Sequence, residues 1–146
     1  MPSRNSLDDY DKKVVTKLAD FPNKISRSIE KFRFRDALME LMNLARLGNK
    51  YLADTEPWKL NSIDQERTKT VLNIAIQISA SLAILSEPFM PFSSNKLKKI
   101  LALKNVSWDD AGGAVIRDNH KINSASHLFE KIEDEKIAEE LNKLNP

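Results

Sequence analysis

The chain has 146 residues, 41% of them apolar and 30% charged, with no cysteine. That is the profile of one ordinary globular domain, large enough to hold its core without a disulfide or structural metal, and the missing thiols exclude a disulfide framework, a thiol nucleophile and a thiolate zinc site. Net charge is only +2 but unevenly spread: residues 1–60 carry twelve Lys/Arg against nine Asp/Glu, residues 61–107 six against three, and residues 108–146 five against nine, so a body able to meet a polyanion precedes a tail that one would repel.

Ser6-Leu7-Asp8-Asp9 offers a hydroxyl cap with carboxylates in a first helical turn. From there Val14, Leu18, Phe21, Ile25, Ile29 and Phe32 recur at spacings of three and four, which predicts one buried helical stripe. Pro22 lies inside it and predicts a kink, or a restart capped by Asp20. A second helix is expected over about residues 34–53, burying Phe34, Leu38, Leu41, Ala45 and Leu52, with Gly48 marking the close approach of another helix. Glu56-Pro57-Trp58-Lys59 interrupts the pattern, because the residue before a proline is pushed out of helical geometry. Ser62 and Gln65 fit a capping box that opens a third helix, apolar on more than one side from Val71 to Leu85, which belongs in the middle of a bundle. Pro88 and Pro91 stop it, and Ser93 or Ser94 is placed to cap a fourth helix running to about Leu103.

Residues 105–128 read as irregular, with Gly112-Gly113 and a strand-like run at Ala114-Val115-Ile116 that allows a short hairpin. A final, peripheral helix is expected within residues 129–146, its apolar positions Ile132, Ile137, Leu141 and Leu144 set among charges. The pattern therefore predicts a single all-α domain over residues 1–146: an antiparallel bundle over about 6–104, an irregular segment and a C-terminal helix. Apolar runs such as Leu82–Leu85 fall far short of the ~20 residues of a bilayer span. Met1–Tyr10 contains an arginine but no apolar h-region, and the expectation is no membrane partner and a cytoplasmic location.

Catalytic constellations are poor. His120 and His127 lie in the irregular segment, without a metal-ligand spacing, so no metal and no catalytic residue is assigned. Adjacent acids such as Asp8-Asp9, Asp109-Asp110 and Glu139-Glu140 sit in cap, turn or exposed-helix contexts. No Gly-rich phosphate loop or nucleophile elbow occurs. The informative residue is Trp58, an aromatic in a connection rather than in an apolar stripe, with Lys50 and Lys59 close in sequence and Asn43, Arg46 and Lys50 on one helix face. An indole beside cations suits stacking of an unpaired base and holding of its phosphate. The same residue also suits a plug at the end of the bundle, its ring packed and its N–H at the surface. Trp108 faces the same choice, and the neighbouring Asp109-Asp110 favours packing.

Asn43 to Leu52, followed by Glu56-Pro57-Trp58, is similar to a helix that ends in an asparagine-aromatic pair and leads to a Pro-Trp in the C-terminal helical region of bacterial methionyl-tRNA synthetases. Ser86-Glu87-Pro88-Phe89-Met90-Pro91-Phe92 resembles the double-proline turn shared by the class I enzymes for methionine, leucine, isoleucine and valine. Ser107-Trp108-Asp109-Asp110 and His127-Leu128-Phe129-Glu130-Lys131-Ile132 resemble later landmarks, in the same order, so that the likeness runs from about Asp8 to Leu141.

The resemblance implies recognition of the CAU anticodon of methionine tRNA, with Trp58 stacking on the first anticodon base. Lys50, Lys59 and Arg46 then become candidate backbone contacts, and Asn49, Tyr51 and Pro57 shape the turn that carries the tryptophan. It also implies a catalytic domain in the same polypeptide and ATP as the parent enzyme's co-substrate, with no cofactor in this segment. The HIGH-type and KMSKS-type signatures of class I synthetases are absent from the 146 residues, so this segment is not expected to activate methionine. In the family an asparagine and an arginine on a preceding helix also read the anticodon. Their absence before Ser6 leads us to expect weaker base discrimination and an apolar groove left exposed on the bundle. The alternative is a helical protein-interaction scaffold with no nucleic-acid role.

Overall fold

The computed structural model describes residues 6–144; the predicted domain limits at 1 and 146 lie outside them. Six α-helices follow in order: α1 (Asp9–Glu30), α2 (Phe34–Thr55), the one-turn α3 (Pro57–Leu60), α4 (Gln65–Leu85), α5 (Pro91–Ile100) and α6 (Asp134–Leu144). A 3-10 turn over Trp108–Asp110 is the sole regular element between α5 and α6 among the described residues, and no strand forms there. Helices α1, α2 and α5 pack around α4, which is apolar nearly all round and so must be enclosed. That helix is long and apolar enough to cross a bilayer, a property hidden from a search for unbroken apolar runs, yet 67% of its apolar window is buried by its neighbours.

Several sequence expectations shift on the structure. The cap of α1 is Asp8, not Ser6: the Asp8 carboxylate accepts the Asp11 N–H at 2.7 Å and the Asp11 carboxylate accepts the Asp8 N–H at 3.2 Å. The helix continues unbroken through Pro22, with no restart at Asp20. Gly112 packs at that place, where a Cβ would meet the Pro22 Cγ at 3.0 Å and the Leu18 carbonyl oxygen at 3.1 Å. The predicted stripe of α1 is buried from Val14 to Ile25, but Phe32 falls beyond the helix end, at φ 58 and exposed.

The core face of α2 is rotated from the predicted one. Leu41 is buried as expected, but with Ala37, Leu44 and Tyr51, whereas Phe34 is 56% exposed, Leu38 is exposed, and Ala45 and Leu52 are half-buried. Two apolar stripes run side by side on this helix, and α4 packs on the one that includes Gly48, where Ile78 Cγ2 lies 3.0 Å from the position of an added Cβ. Phe34 and Leu38 line an open apolar groove with Ile29, Pro88, Phe89 and Met90.

Asp64, not Ser62, caps α4, accepting the Arg67 N–H at 2.9 Å, while the Ser62 hydroxyl donates to the Lys59 carbonyl at 3.1 Å. Helix α5 has Met90 at its cap and Pro91 in its first turn. Ser94 is buried instead of capping, and donates to the Ala83 carbonyl at 2.6 Å. The helix ends at Ile100, short of Leu103, because Ala102 turns into the left-handed region at φ 51. Ala114–Ile116 makes no hairpin. Instead the backbone of Ile116 pairs with the side-chain amide of Gln77, which donates to the Ile116 carbonyl at 2.6 Å and accepts the Ile116 N–H at 3.0 Å. With Gly112 N donating to Ser81 Oγ at 3.0 Å and Asn73 Nδ2 donating to Asp118 at 3.3 Å, this forms a strap along α4. Helix α6 begins at Asp134, and all its described side chains are exposed.

Candidate nucleic-acid interface

The connection carrying Trp58 is built by its own residues. Glu56 adopts φ 42, its N–H closing α2 on the Leu52 carbonyl at 3.0 Å. The following Pro57 loses nothing by its missing N–H, because it occupies the first turn of α3 where that group has no partner in any case. Pro57 is buried and Trp58 is 63% exposed. The proline anchors the turn, and the indole is not the bundle plug that the sequence left open. Trp108, by contrast, is half-buried against the core.

The nearby cations are arranged less simply. Lys59 Nζ meets the Glu56 carboxylate at 2.7 Å and Lys50 Nζ meets Asp54 at 2.9 Å. Asp54 also accepts the Tyr10 hydroxyl at 2.5 Å, and the hydrogen bonds from Tyr10 and Lys50 hold its carboxyl below the usual range. Burial, reinforced by Asp54, pushes the Tyr10 phenol up to about 12. Arg46 lies farther back on α2 and donates to Asn43 Oδ1 at 3.0 Å, so Asn43, Arg46 and Lys50 do share a face. Asn49 is exposed beside Lys50. The structure thus brings Trp58, Lys59 and Glu56 onto one turn with Lys50 and Asp54 just before it, and leaves Arg46 at a remove.

The group that sequence reading missed is Asp11. This aspartate is 0% exposed and accepts the Tyr51 hydroxyl at 2.7 Å and Arg67 Nη2 at 3.0 Å, with Nη1 on its other oxygen. Arg67 Nη2 also reaches Asp8 at 2.9 Å. Burial by itself raises the Asp11 carboxyl, but the hydrogen bonds from Arg67 and Tyr51 outweigh it and hold the group below the ordinary carboxylate range. The same carboxylate, after burial, pushes the Tyr51 phenol far up. The cluster ties the start of α1, the last turn of α2 and the first turn of α4 together, and α3 with Trp58 hangs between the last two. Tyr51 therefore shapes the end of the helix from inside the core. The signal in the sequence was position: Asp11 continues the stripe of Val14, Leu18, Phe21 and Ile25 one step upstream.

A helical bundle that ends in a turn with an outward aromatic agrees with the anticodon-binding domain that the sequence resembles. The fold matches free-state Mycobacterium tuberculosis methionyl-tRNA synthetase with a TM-score of 0.77 at 18% identity, over 90% of this chain and 28% of that one. The family described as the anticodon binding domain of methionyl tRNA ligase matches residues 1–145, and the chain belongs to it. Among curated relatives, the methionine–tRNA ligase of Phocaeicola vulgatus is 50% identical over 145 residues, 99% of this chain and 21% of that protein. That of Cytophaga hutchinsonii is 49% identical over 145 residues, again 99% of this chain and 21% of its own length. The chain therefore spans about a fifth of the relatives it matches, and membership leaves the interaction-scaffold alternative without support.

Proposed function

We propose that the chain reads the anticodon loop of methionine tRNA for a methionine–tRNA ligase, with Trp58 stacking on the first anticodon base. The observation that carries this reading is a tryptophan 63% exposed on a turn whose neighbours are pinned. The backbone that carries the ring is already held by buried Pro57 and the α2 cap at Glu56, so that part of the site does not have to be ordered when a base arrives. Asn49 lines the approach to the turn, Pro57 sets the ring's direction, and Lys50, Lys59 and Arg46 reach RNA backbone by exchanging their present partners for phosphate. In the whole ligase, ATP-dependent attachment of methionine belongs to a catalytic domain of the same polypeptide, acting in the cytoplasm. This domain contributes by positioning: binding energy gained at the anticodon orients a distant acceptor end.

Binding of an anticodon stem-loop of methionine tRNA, followed by fluorescence anisotropy, tests the reading. Trp58→Ala is expected to lower affinity by roughly 5- to 150-fold, the range that corresponds to one stacked base, with an unchanged melting temperature. Equal binding of the cognate hairpin and one with a changed first anticodon base would refute base readout.

A further inference from the structure

The basic residues best disposed to hold phosphate are not those beside Trp58, each of which already leans on a carboxylate or amide. They lie on the flank of the bundle, where the loop after α5 folds back on that helix's end. His120 Nε2 lies 2.8 Å from the Leu101 carbonyl, Asn123 N donates to the Ile100 carbonyl at 2.8 Å, and Asn123 Nδ2 donates to the Lys99 carbonyl at 2.7 Å. These bonds occupy the carbonyl end of α5, which would otherwise repel an anion. Between the helix end and the loop is a pocket of about 470 Å³, floored by Leu103, Val106 and Val115 and walled by Lys104, Arg117 and Lys121. No carboxylate lines it, and none of the three cations is ion-paired among the described residues. The nearest acid in sequence, Asp118, receives Asn73 Nδ2 instead. Ala102, which lines it, and Asn105 and Asn119, next in the chain to the lining residues Lys104 and His120, hold left-handed backbone at φ 51, 52 and 60. That conformation is strained for alanine, and the surrounding hydrogen bonds maintain it.

We propose that the pocket walled by Lys104, Arg117 and Lys121 is a second RNA-binding site, holding backbone phosphate of the stem above an anticodon loop bound at Trp58. The inference rests on the reading of Trp58 given above and extends it along the molecule. Asn73, which meets the loop at Asp118, is eight residues into α4, about 12 Å along its axis from the end against which α3 packs. In the proposed complex the stem of a hairpin whose loop is held at Trp58 rises along the side of the bundle that carries Arg117, the residue next to Asp118. The acidic excess of residues 108–146 does not oppose this, because most of it resides at and beyond Glu130.

The test is the salt dependence of binding of the methionine anticodon stem-loop to the full chain. A variant carrying Lys104→Gln, Arg117→Gln and Lys121→Gln is expected to bind about tenfold or more weakly at low salt, its log-log salt slope smaller by about 2 to 3, at roughly 0.7–0.9 for each phosphate no longer neutralised. Its preference for the cognate over the changed anticodon should persist. Trp58→Ala should do the converse, losing preference while keeping the slope. An unchanged slope in the triple variant, with Trp58→Ala still weakened, overturns the pocket alone. A wild-type chain that binds no hairpin overturns both readings. Arg117→Gln alone, with helicity checked by circular dichroism, should show about a third of the slope change, and no change in it also counts against the pocket.

Discussion

The hydroxyl of Tyr51 donates to the fully buried carboxylate of Asp11 at 2.7 Å, joining the end of α2 to the start of α1. Arg67 closes the triad from α4, its guanidinium spanning Asp11 and Asp8. A buried charge is tolerable only while its partners stay in place. Replacing Arg67 with Met strands the Asp11 carboxylate and should cost about 3–5 kcal/mol. Adding Asp11→Asn to that variant should recover part of the loss, since the stranded charge is then gone. Urea unfolding of the two single variants and the double gives the coupling directly, and additive losses would show that the ion pair carries no energy of its own.

The same triad sets the acid limb of stability. Because the folded Asp11 carboxyl is held below its ordinary value, its contribution is complete above the unfolded value of about 3.9 and drains away as pH falls through the lower folded one. Asp11→Asn has no proton to take up, so its unfolding free energy should vary less with pH below about 4 than that of the wild-type chain. Parallel acid limbs for the two proteins would count against the depressed carboxyl.

Both tyrosines of the chain face carboxylates, Tyr10 at Asp54 and Tyr51 at Asp11. A phenol raised in the folded state stabilises the fold fully below the unfolded value near ~10 and loses that contribution as pH climbs through the folded value, which for Tyr10 is about 12. Absorbance at the tyrosinate band should therefore stay flat through the region where a free phenol half-ionises, then rise together with unfolding. Half-ionisation of one tyrosine near ~10 in the folded chain would place Tyr10 outside its hydrogen bond with Asp54.

Much of this architecture was legible in the sequence, and its failures have local causes. The stripe of α1 was readable because one face alone is apolar, whereas α2 carries two apolar stripes that share Leu41, the predicted Phe34-Leu38-Leu41-Ala45-Leu52 and the buried Ala37-Leu41-Leu44-Tyr51, and periodicity cannot choose between them. Trp58 was readable as a residue outside any stripe. The ion pairs that occupy Lys50 and Lys59 were also visible, at spacings of four and three from Asp54 and Glu56, but spacing gives proximity and not occupancy. The strap was illegible from its own residues. Its signal lay on α4, where Asn73, Gln77 and Ser81 place a polar row at intervals of four in a stretch, Val71–Leu85, that is apolar but for these and Ser79. Such a row demands a backbone partner, since buried polar groups are costly when unpaired.

Gly112 fastens the strap to α1. Its φ of 84 lies where an L side chain is strained, and an added Cβ would come within 3.1 Å of the backbone of Leu18 and Ala19. Gly112→Ala should therefore destabilise the chain by about 2 kcal/mol or more, from left-handed strain together with overpacking. Gly48→Ala is the useful contrast, because its backbone is already helical and its neighbour there is a side chain, Ile78. Helix propensity there offsets part of the clash by about 1 kcal/mol. Thermal melts of both should rank Gly112→Ala well below Gly48→Ala, and the reverse order would mean that the strap is not seated on α1 as described.

Gln77 is the other fastening, and its replacement isolates the role of the strap. Gln77→Leu keeps the volume and removes both hydrogen bonds to Ile116, leaving a buried N–H and a buried carbonyl at about 1–3 kcal/mol each if the strap stays in place. The strap escapes that penalty by lifting off α4 into water, where both groups are hydrated at the cost of exposing Ile116. Hydrogen exchange distinguishes the outcomes: the Ile116 amide, protected in the wild-type chain, should exchange far faster in the variant while the amides in the middle of α4 stay protected. Since Arg117 and Lys121 are carried by the same loop, a lifted strap should also lower the salt slope for RNA even though every basic side chain remains. Retention of the full slope beside a freely exchanging Ile116 would show that the basic wall holds its shape independently of the Gln77 anchor.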